Sequence, residues 1–159
     1  MEPEIKNVFI SHRSSDAEEL QKLKDLVAKQ GYQFRDGSVV DAKDSDAKNP
    51  DYIKNQILAP GIQWASTLIV LISDKTHMSD WVEWEIEYAE KAGKRIVGVY
   101  TQGATGVEIP ENLDKYADAV VGWQGPAIID AVEGRNENWT NPDGTTRTPR
   151  NIDRYGCNE

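Results

Sequence analysis

Six consecutive residues decide the fold of this chain, since each is β-branched or aliphatic: Thr67-Leu68-Ile69-Val70-Leu71-Ile72. A strand that is apolar on both faces is typical of the centre of a parallel sheet, where helices cover both sides. Shorter apolar runs occur before and after it along the chain, and they alternate with segments of helical periodicity. This alternation predicts successive βα units around one parallel sheet.

We predict five strands, each followed by a helix. The strands are residues 5–11, 32–35, 67–73, 95–100 and 119–122. The first helix begins near Ser15-Asp16, buries Leu20, Leu23 and Val27, and stops at Gly31. The others cover about residues 51–63, 79–93, 111–116 and 126–132, and we expect Pro60-Gly61 to bend or end the second helix. This order favours an α/β, flavodoxin-like three-layer fold with a parallel sheet in the order 2-1-3-4-5.

Composition restricts the organisation and the partners. All predicted elements lie in residues 1–133, whereas residues 134–159 are polar and aperiodic, so we expect one domain with a C-terminal extension. The net charge of −9 disfavours nucleic acid and anionic membranes as partners. The single cysteine, Cys157, excludes a disulfide framework, and no signal peptide or membrane-spanning run is present. We therefore expect a cytoplasmic protein.

Polar residues follow the strands that meet at the switch point of this fold. With the order 2-1-3-4-5 the switch point lies between strands 1 and 3, and ligands bind at the carboxyl ends of the strands. The candidate residues at this edge are Ser11, His12 and Arg13 after strand 1, Asp36 after strand 2, and Ser73 and Asp74 after strand 3. Residues 36–49 are polar and predict a long loop, of a length often linked to function.

One acid of the third helix departs from the helix's amphipathic pattern. At about 100° per residue, one apolar arc contains Trp81, Val82, Trp84, Tyr88, Ala89 and Ala92. The opposite face contains Asp80, Glu83, Glu87, Glu90 and Lys91. Glu85 falls inside the apolar arc, where a carboxylate must be paired, neutral or open to a cavity. It is therefore either a structural acid paired with Arg13 or Arg95, or a catalytic carboxylate.

Together these residues resemble TIR domains, especially the short bacterial TIR-like proteins of Thoeris antiphage defence. The resemblance covers about residues 6–132 and is carried by Val8-Phe9-Ile10-Ser11, Ser79-x-Trp81-Val82-x-Trp84-Glu85-Ile86 and Gly93-Lys94-Arg95-Ile96-Val97-Gly98-Val99. It implies cleavage of NAD+, with Glu85 as the essential carboxylate and Trp81 against the nucleotide. It also implies that Ser11 and Arg13 line the pocket, to which the fold rule adds Asp36.

The resemblance extends to partners. NAD+ is then a substrate rather than a cofactor, no metal is required, and an ADP-ribose-derived, cyclic product would activate a separate downstream effector. Residues 37–49 take the place of the BB loop, which governs assembly and access in TIR domains, so self-assembly is a further expectation. The sequence of this segment departs from that of animal TIR domains.

A single carboxylate suits this chemistry. An ordinary glycosidase needs a second carboxyl group to protonate the departing alcohol. Nicotinamide leaves NAD+ as a neutral molecule, so no general acid is needed. Glu85 can then stabilise positive charge at the anomeric carbon, Trp81 can stack against the nucleotide, and Arg13 can offset the pyrophosphate charge.

Two other functions stay open at this point. Many TIR domains are non-catalytic interaction modules, in which Glu85 would be structural and Trp81 and Trp84 core aromatics. A nucleoside deoxyribosyltransferase-like enzyme has a related fold and a helix-borne glutamate nucleophile. The sequence lacks a G-x-G-x-x-G or Walker loop, a zinc-binding H-E-x-x-H or cysteine pair, and a G-x-S-x-G elbow. His12 and His77 are isolated and are not expected to be catalytic.

Overall fold

A parallel sheet forms the centre of the molecule. The structure, a computed structural model, describes residues 4–12, 18–37, 54, 58–73, 76, 79–101 and 107–135. Within this part of the chain the strands are β1 Glu4–Ser11, β2 Tyr32–Asp36, β3 Thr67–Ile72, β4 Arg95–Tyr100 and β5 Ala119–Val121. They are parallel and lie in the order β2-β1-β3-β4-β5, which confirms the predicted flavodoxin-like fold. Every residue of β3 is buried, as expected for the central strand.

Helices cover both faces of this sheet. Those in the described part of the chain are α1 Glu18–Ala28, α2 Ala59–Trp64, α3 Asp80–Lys91, α4 Glu111–Tyr116 and α5 Gly125–Val132. Helix α1 buries Leu20, Leu23 and Val27, as predicted. None of the helices in the described residues is long and apolar enough to cross a membrane.

Alternate residues of each strand face different helical layers. Val8, Ile10, Ile69 and Leu71 pack with α1 and α5, on what we call the α1/α5 face. Phe9, Leu68, Val70 and Ile72 pack with α2, α3 and α4, on what we call the α3 face. Ser11 lies two residues after Phe9 at the end of β1, so the alternation directs its side chain towards the α3 face.

The second helix differs from the prediction. Lys54 and Leu58 have π-helical geometry, and the α-helix runs from Ala59 to Trp64 with Pro60 in its first turn. Proline is tolerated there because the first turn of a helix leaves its N–H groups unbonded in any case. Gly61 is needed for packing, since a Cβ at this position would lie 2.7 Å from the Gly37 carbonyl oxygen. The helix thus does not end at Pro60-Gly61, which was one of the two predicted outcomes, and it ends at Trp64, next to the predicted limit at residue 63.

The buried stripe of α3 is also rotated from the predicted arc. It consists of Val82, Glu85, Ile86 and Ala89, and Ile86 lies about 140° from Trp81 around the helix. Ala92 is exposed, and the three aromatic side chains at positions 81, 84 and 88 are half-buried. Small aliphatic side chains fit against the sheet, whereas indole and phenol rings pack well at a margin where their polar atoms reach water.

Several predictions fall outside the described residues. These are the start of the first helix at Ser15-Asp16, the positions of Arg13 and His77, the loop beyond Gly37, and residues 136–159. Helix α5 ends at Val132, and Gly134 follows with a φ of 82°. The division into a domain of residues 1–133 and an extension of residues 134–159 stays a prediction.

Candidate active site

Helix α3, which carries Glu85, begins with a capped first turn. Ser79 is the N-cap, and its Oγ accepts a hydrogen bond of 3.3 Å from the backbone N–H of Val82. Such a cap satisfies one of the amide groups that the first turn leaves without an intrahelical partner. Glu85 lies in the buried stripe of this capped helix and faces the sheet.

Glu85 lies at the carboxyl end of β1 and contacts Ser11. The Ser11 Oγ donates a hydrogen bond of 2.6 Å to the Glu85 Oε1, and both residues are 0% exposed. A hydroxyl donor offsets part of the desolvation cost of a buried carboxylate, and such bonds to an ionised acceptor are short and strong. Arg95, considered above as an ion-pair partner, instead donates from its Nε to the Ala131 carbonyl oxygen at 2.6 Å.

The side chain of Asp36 holds the end of β1. Backbone pairing between β1 and β2 ends at Val8 and Asp36, and beyond that point the Asp36 Oδ1 accepts from the backbone N–H of Ile10 at 3.0 Å. His12, which is almost fully buried, lies with its Nδ1 2.8 Å from the Ile10 carbonyl oxygen. A carbonyl oxygen only accepts, so Nδ1 carries the proton. Both side chains therefore brace the backbone next to Ser11.

The carboxyl end of β3 is braced as well. The Thr76 Oγ1, which is buried, accepts from the backbone N–H of Ser73 at 2.8 Å and donates to the Leu71 carbonyl oxygen at 3.1 Å. The backbone N–H of Thr101 donates to the Ile72 carbonyl oxygen at 3.0 Å. The edge of the sheet beside Glu85 is thus held by hydrogen bonds to side chains and not only by strand pairing.

Three half-buried aromatic residues follow one flank of α3. Trp84 stacks on Tyr88 with ring centroids 5.2 Å apart, and Trp81 lies one helical turn before Glu85. The Lys54 Nζ lies 6.0 Å from the ring centroid of Trp81 and 5.7 Å from that of Trp84. Both distances are within the range of cation–π attraction.

Lys54 was not among the residues that we predicted for the site. The signal that could have found it is that Lys54 is the single basic residue of segment 51–63. That signal is weak, because one lysine on a predicted helix is usually a solvated surface residue. Its position over two tryptophans depends on how the second helix packs against α3.

Glu83 has a structural contact that the pattern of α3 did not reveal. Its two carboxylate oxygens accept from the backbone N–H groups of Glu111 and Asn112, each at 2.9 Å, and the Asn112 side chain donates to the Glu83 carbonyl oxygen. An acid at a helix N-terminus interacts favourably with the helix dipole. Glu83 therefore fastens the start of α4 to α3, and Glu85, two residues later, faces the sheet.

The structure brings some of the predicted site residues together. Ser11 and Glu85 are in direct contact, Trp81 is on the same helix as Glu85, and Asp36 bonds to the residue before Ser11. Arg13 lies outside the described residues. Among the residues that are described, no group of three or more His, Cys, Asp or Glu side chains could hold a metal ion. The ligand-binding roles of these residues stay predictions.

A comparison with known protein families identifies the family of this chain. The sequence model of the TIR-like domain of the Thoeris protein ThsB matches residues 9–106. This chain belongs to that family. The match contains Ser11, Asp36, Trp81 and Glu85, and it confirms the resemblance to Thoeris TIR-like proteins that we predicted from the sequence.

Other comparisons add little about this TIR-like domain. A similar solved structure is that of a CMP N-glycosidase from Clostridium botulinum, BcmB, with 18% sequence identity and a TM-score of 0.41. The similarity covers 60% of this chain and 71% of that chain. At this level it carries no argument about activity. Comparison with curated proteins gives no match.

Proposed function

We propose that this TIR-like domain cleaves the bond between nicotinamide and ribose in NAD+, with Glu85 as the catalytic carboxylate. The observation that supports the proposal most is the position of Glu85, which accepts a hydrogen bond from Ser11 at the carboxyl edge of β1. In this fold ligands bind at that edge, beside the switch point between β1 and β3. A carboxylate shielded from water stabilises a developing positive charge more strongly than an exposed one.

In the first proposed step the carbon–nitrogen bond breaks. Its electron pair moves to the ring nitrogen of nicotinamide, which leaves as a neutral molecule, while positive charge develops on the anomeric carbon and the ribose ring oxygen. The Glu85 carboxylate stabilises that charge. Ser11 acts as a positioning residue, because its hydrogen bond to Oε1 orients the carboxylate before the substrate arrives.

In the second proposed step a nucleophile binds to the anomeric carbon. Water gives ADP-ribose, whereas a hydroxyl group of the same ADP-ribose gives a cyclic product, and either nucleophile loses one proton, which Glu85 can accept. A site that excludes water favours the intramolecular reaction. We therefore expect a cyclic product.

The family suggests where this reaction acts. We propose that the product is a defence signal that a separate effector protein recognises, and that the domain works in the cytoplasm, where NAD+ is available. Self-assembly is part of the proposal, since assembly is a property of the family that the sequence resembles. NAD+ is consumed as a substrate, so the reaction calls for no resident cofactor.

The test compares Glu85→Gln with Glu87→Gln. Both change one glutamate of α3 to its amide, but Glu87 is exposed and lies 3.7 Å from Lys91 in an ion pair. Nicotinamide and ADP-ribose products are measured by mass spectrometry, with purified protein and with lysates of phage-infected cells that express each variant. We expect Glu85→Gln to lower nicotinamide release by about 100-fold or more, and Glu87→Gln to leave it unchanged.

The other outcomes separate the alternatives. Equal nicotinamide release by wild type and Glu85→Gln would exclude a catalytic role for Glu85. A second candidate function, a non-catalytic interaction module, is favoured by the complete burial of Glu85, because structural acids are buried in the same way. No nicotinamide release in cells, together with a lower melting temperature of Glu85→Gln, would support that function. Exchange of bases between free nucleosides would instead support a deoxyribosyltransferase-like enzyme.

A further inference from the structure

Lys54 occupies an unusual position for a lysine of this acidic protein. Its ammonium group lies about equally far from two indole rings, 6.0 Å from the centroid of Trp81 and 5.7 Å from that of Trp84. The residue lies in a π-helical turn, a geometry that is rare and often found at functional sites. Two aromatic rings therefore fix where this charge lies.

No carboxylate of the described residues neutralises the charge of Lys54. Lys6, Lys22, Lys91 and Lys115 each form an ion pair with a glutamate. Within the described part of the chain, Lys54 forms an ion pair with no carboxylate, although acidic residues outnumber basic ones by 27 to 18. Indole faces attract a cation but accept few of the hydrogen bonds that an ammonium group can donate. The N–H groups of Lys54 thus stay available to an anion.

Lys54 lies beside the flank of α3 that carries Trp81, one helical turn before the proposed catalytic residue. Trp81 precedes Glu85 by one helical turn, a rise of about 6 Å, and Lys54 contacts the Trp81 ring. In a dinucleotide the diphosphate is joined to the ribose through a single methylene carbon. We therefore expect a ribose with its anomeric carbon at Glu85 to carry its diphosphate along the Trp81 flank of α3, the side on which Lys54 lies.

We propose that Lys54 binds the diphosphate of the nucleotide substrate, beside Trp81. This inference rests on the proposed function, and it adds to it the chemical class of group that Lys54 recognises. An ammonium group suits phosphate oxygens because it donates up to three charge-assisted hydrogen bonds. It also supplies local positive charge in a protein whose net charge of −9 repels an anionic substrate.

The kinetic test uses Lys54→Met, which keeps most of the aliphatic side chain over the tryptophans and removes the charge. We expect KM for NAD+ to rise about tenfold or more, as for the loss of a hydrogen bond to a charged group, and kcat to change by less than about twofold. Lys54→Arg should restore most of the affinity. Raising the salt concentration should increase KM of the wild type more than KM of Lys54→Met.

Lys91→Met is the matched control, since Lys91 is an exposed lysine on α3 far along the helix from Trp81. It should leave KM and its salt dependence unchanged. Binding of ADP-ribose and of adenosine, measured by calorimetry, gives a readout that does not depend on turnover. Lys54→Met should weaken ADP-ribose binding about tenfold and leave adenosine binding unchanged.

The outcomes distinguish this inference from the proposed function. If the wild type cleaves NAD+ and Lys54→Met has the same KM and the same ADP-ribose affinity, the role of Lys54 is wrong and the proposed function stands. Equal weakening of adenosine and ADP-ribose binding would show that Lys54 only packs against the tryptophans, and would also contradict the inference. If the wild type neither cleaves NAD+ nor binds ADP-ribose, both proposals fail.

Discussion

The two faces of the sheet are built from the same strands but bury different chemistry. On the α1/α5 face the buried core is almost entirely aliphatic, with Val8 and Ile10 of β1 packed against α1 and α5. On the α3 face the same strand contributes Phe9 and then Ser11, and the facing helix presents Glu85. The fully buried Ser11–Glu85 pair thus lies on the α3 face, and that face carries the proposed site.

A polar contact on the α1/α5 side, between Lys6, Tyr32 and Glu133, lies at the rim. The Lys6 Nζ forms an ion pair with the Glu133 carboxylate, and the Tyr32 hydroxyl donates to the other Glu133 oxygen at 2.8 Å, all with partial access to water. These groups keep much of their hydration, so they cost little to place and add little stability. The Ser11–Glu85 bond has no such access, so each partner depends on the other. Substitutions on the two faces should therefore differ in kind as well as in size.

The largest loss of stability is expected on the aliphatic face. Ile69 is fully buried in β3 on the α1/α5 face. Ile69→Ala should lower the free energy of unfolding by about 2–5 kcal/mol because it removes buried methyl groups and leaves a cavity, whereas Ile69→Val should cost about 0.5–1.5 kcal/mol. Urea denaturation measures both. Nicotinamide release per folded molecule should match that of the wild type, and a selective loss of that activity would show that the two faces are not independent.

We expect an intermediate loss of stability at Ser11, and the size of that loss should depend on whether residue 85 is a glutamate. Ser11→Ala removes the hydroxyl that donates to Glu85 and should cost about 1–3 kcal/mol of unfolding free energy. In the Glu85→Gln background the same substitution should cost about 1 kcal/mol less, because a hydrogen bond to a neutral amide is weaker than one to a carboxylate. Ser66→Ala is the control, since its exposed hydroxyl donates to the Asn7 carbonyl oxygen. Additive costs of the two site substitutions would argue against a direct Ser11–Glu85 interaction in solution.

We expect the smallest loss of stability for substitutions in the Lys6–Glu133 ion pair, and that loss depends on pH. The hydrogen bond from Lys6 lowers the pKa of Glu133 below its usual 4.5; partial burial opposes this, and the Tyr32 hydroxyl adds to it. Glu133 therefore stabilises the fold above pH 4.5, and this contribution disappears as the pH falls through its lowered pKa. At neutral pH, Glu133→Gln should cost less than about 1 kcal/mol.

The same ion pair sets an upper limit to this pH window. The hydrogen bond to Glu133 raises the pKa of Lys6 above its usual 10.5, so the contribution of Lys6 is lost only when the pH rises through that higher value. Thermal melting of wild type and Glu133→Gln from pH 3 to pH 8 checks the lower limit. A stability difference that persists at pH 3 would show that the rim contact does not act through the Glu133 charge.

Local patterns were enough to predict the sheet. The strand positions and the side chains that α1 buries follow from runs and periodicities within a few residues, and the strand order follows from the rule for βα units. Helix α2 continues through Pro60-Gly61, where Gly61 packs against Gly37, a partner that the local sequence does not show. The centre of the buried stripe of α3 was misplaced because periodicity shows that a helix is amphipathic but does not show which bulky rings will lie at its margin.

The sequence by itself determined the fold, the family resemblance and the presence of a glutamate on the inward side of α3. Only the tertiary structure decided that Glu85 bonds to Ser11, that Asp36 braces the backbone of Ile10, and that Lys54 lies over two tryptophans. The physical reason is distance along the chain: Ser11 and Glu85 are 74 residues apart. Their contact depends on the strand order, on the alternating side-chain directions along β1 and on the rotation of α3 about its axis. No local sequence pattern contains all three.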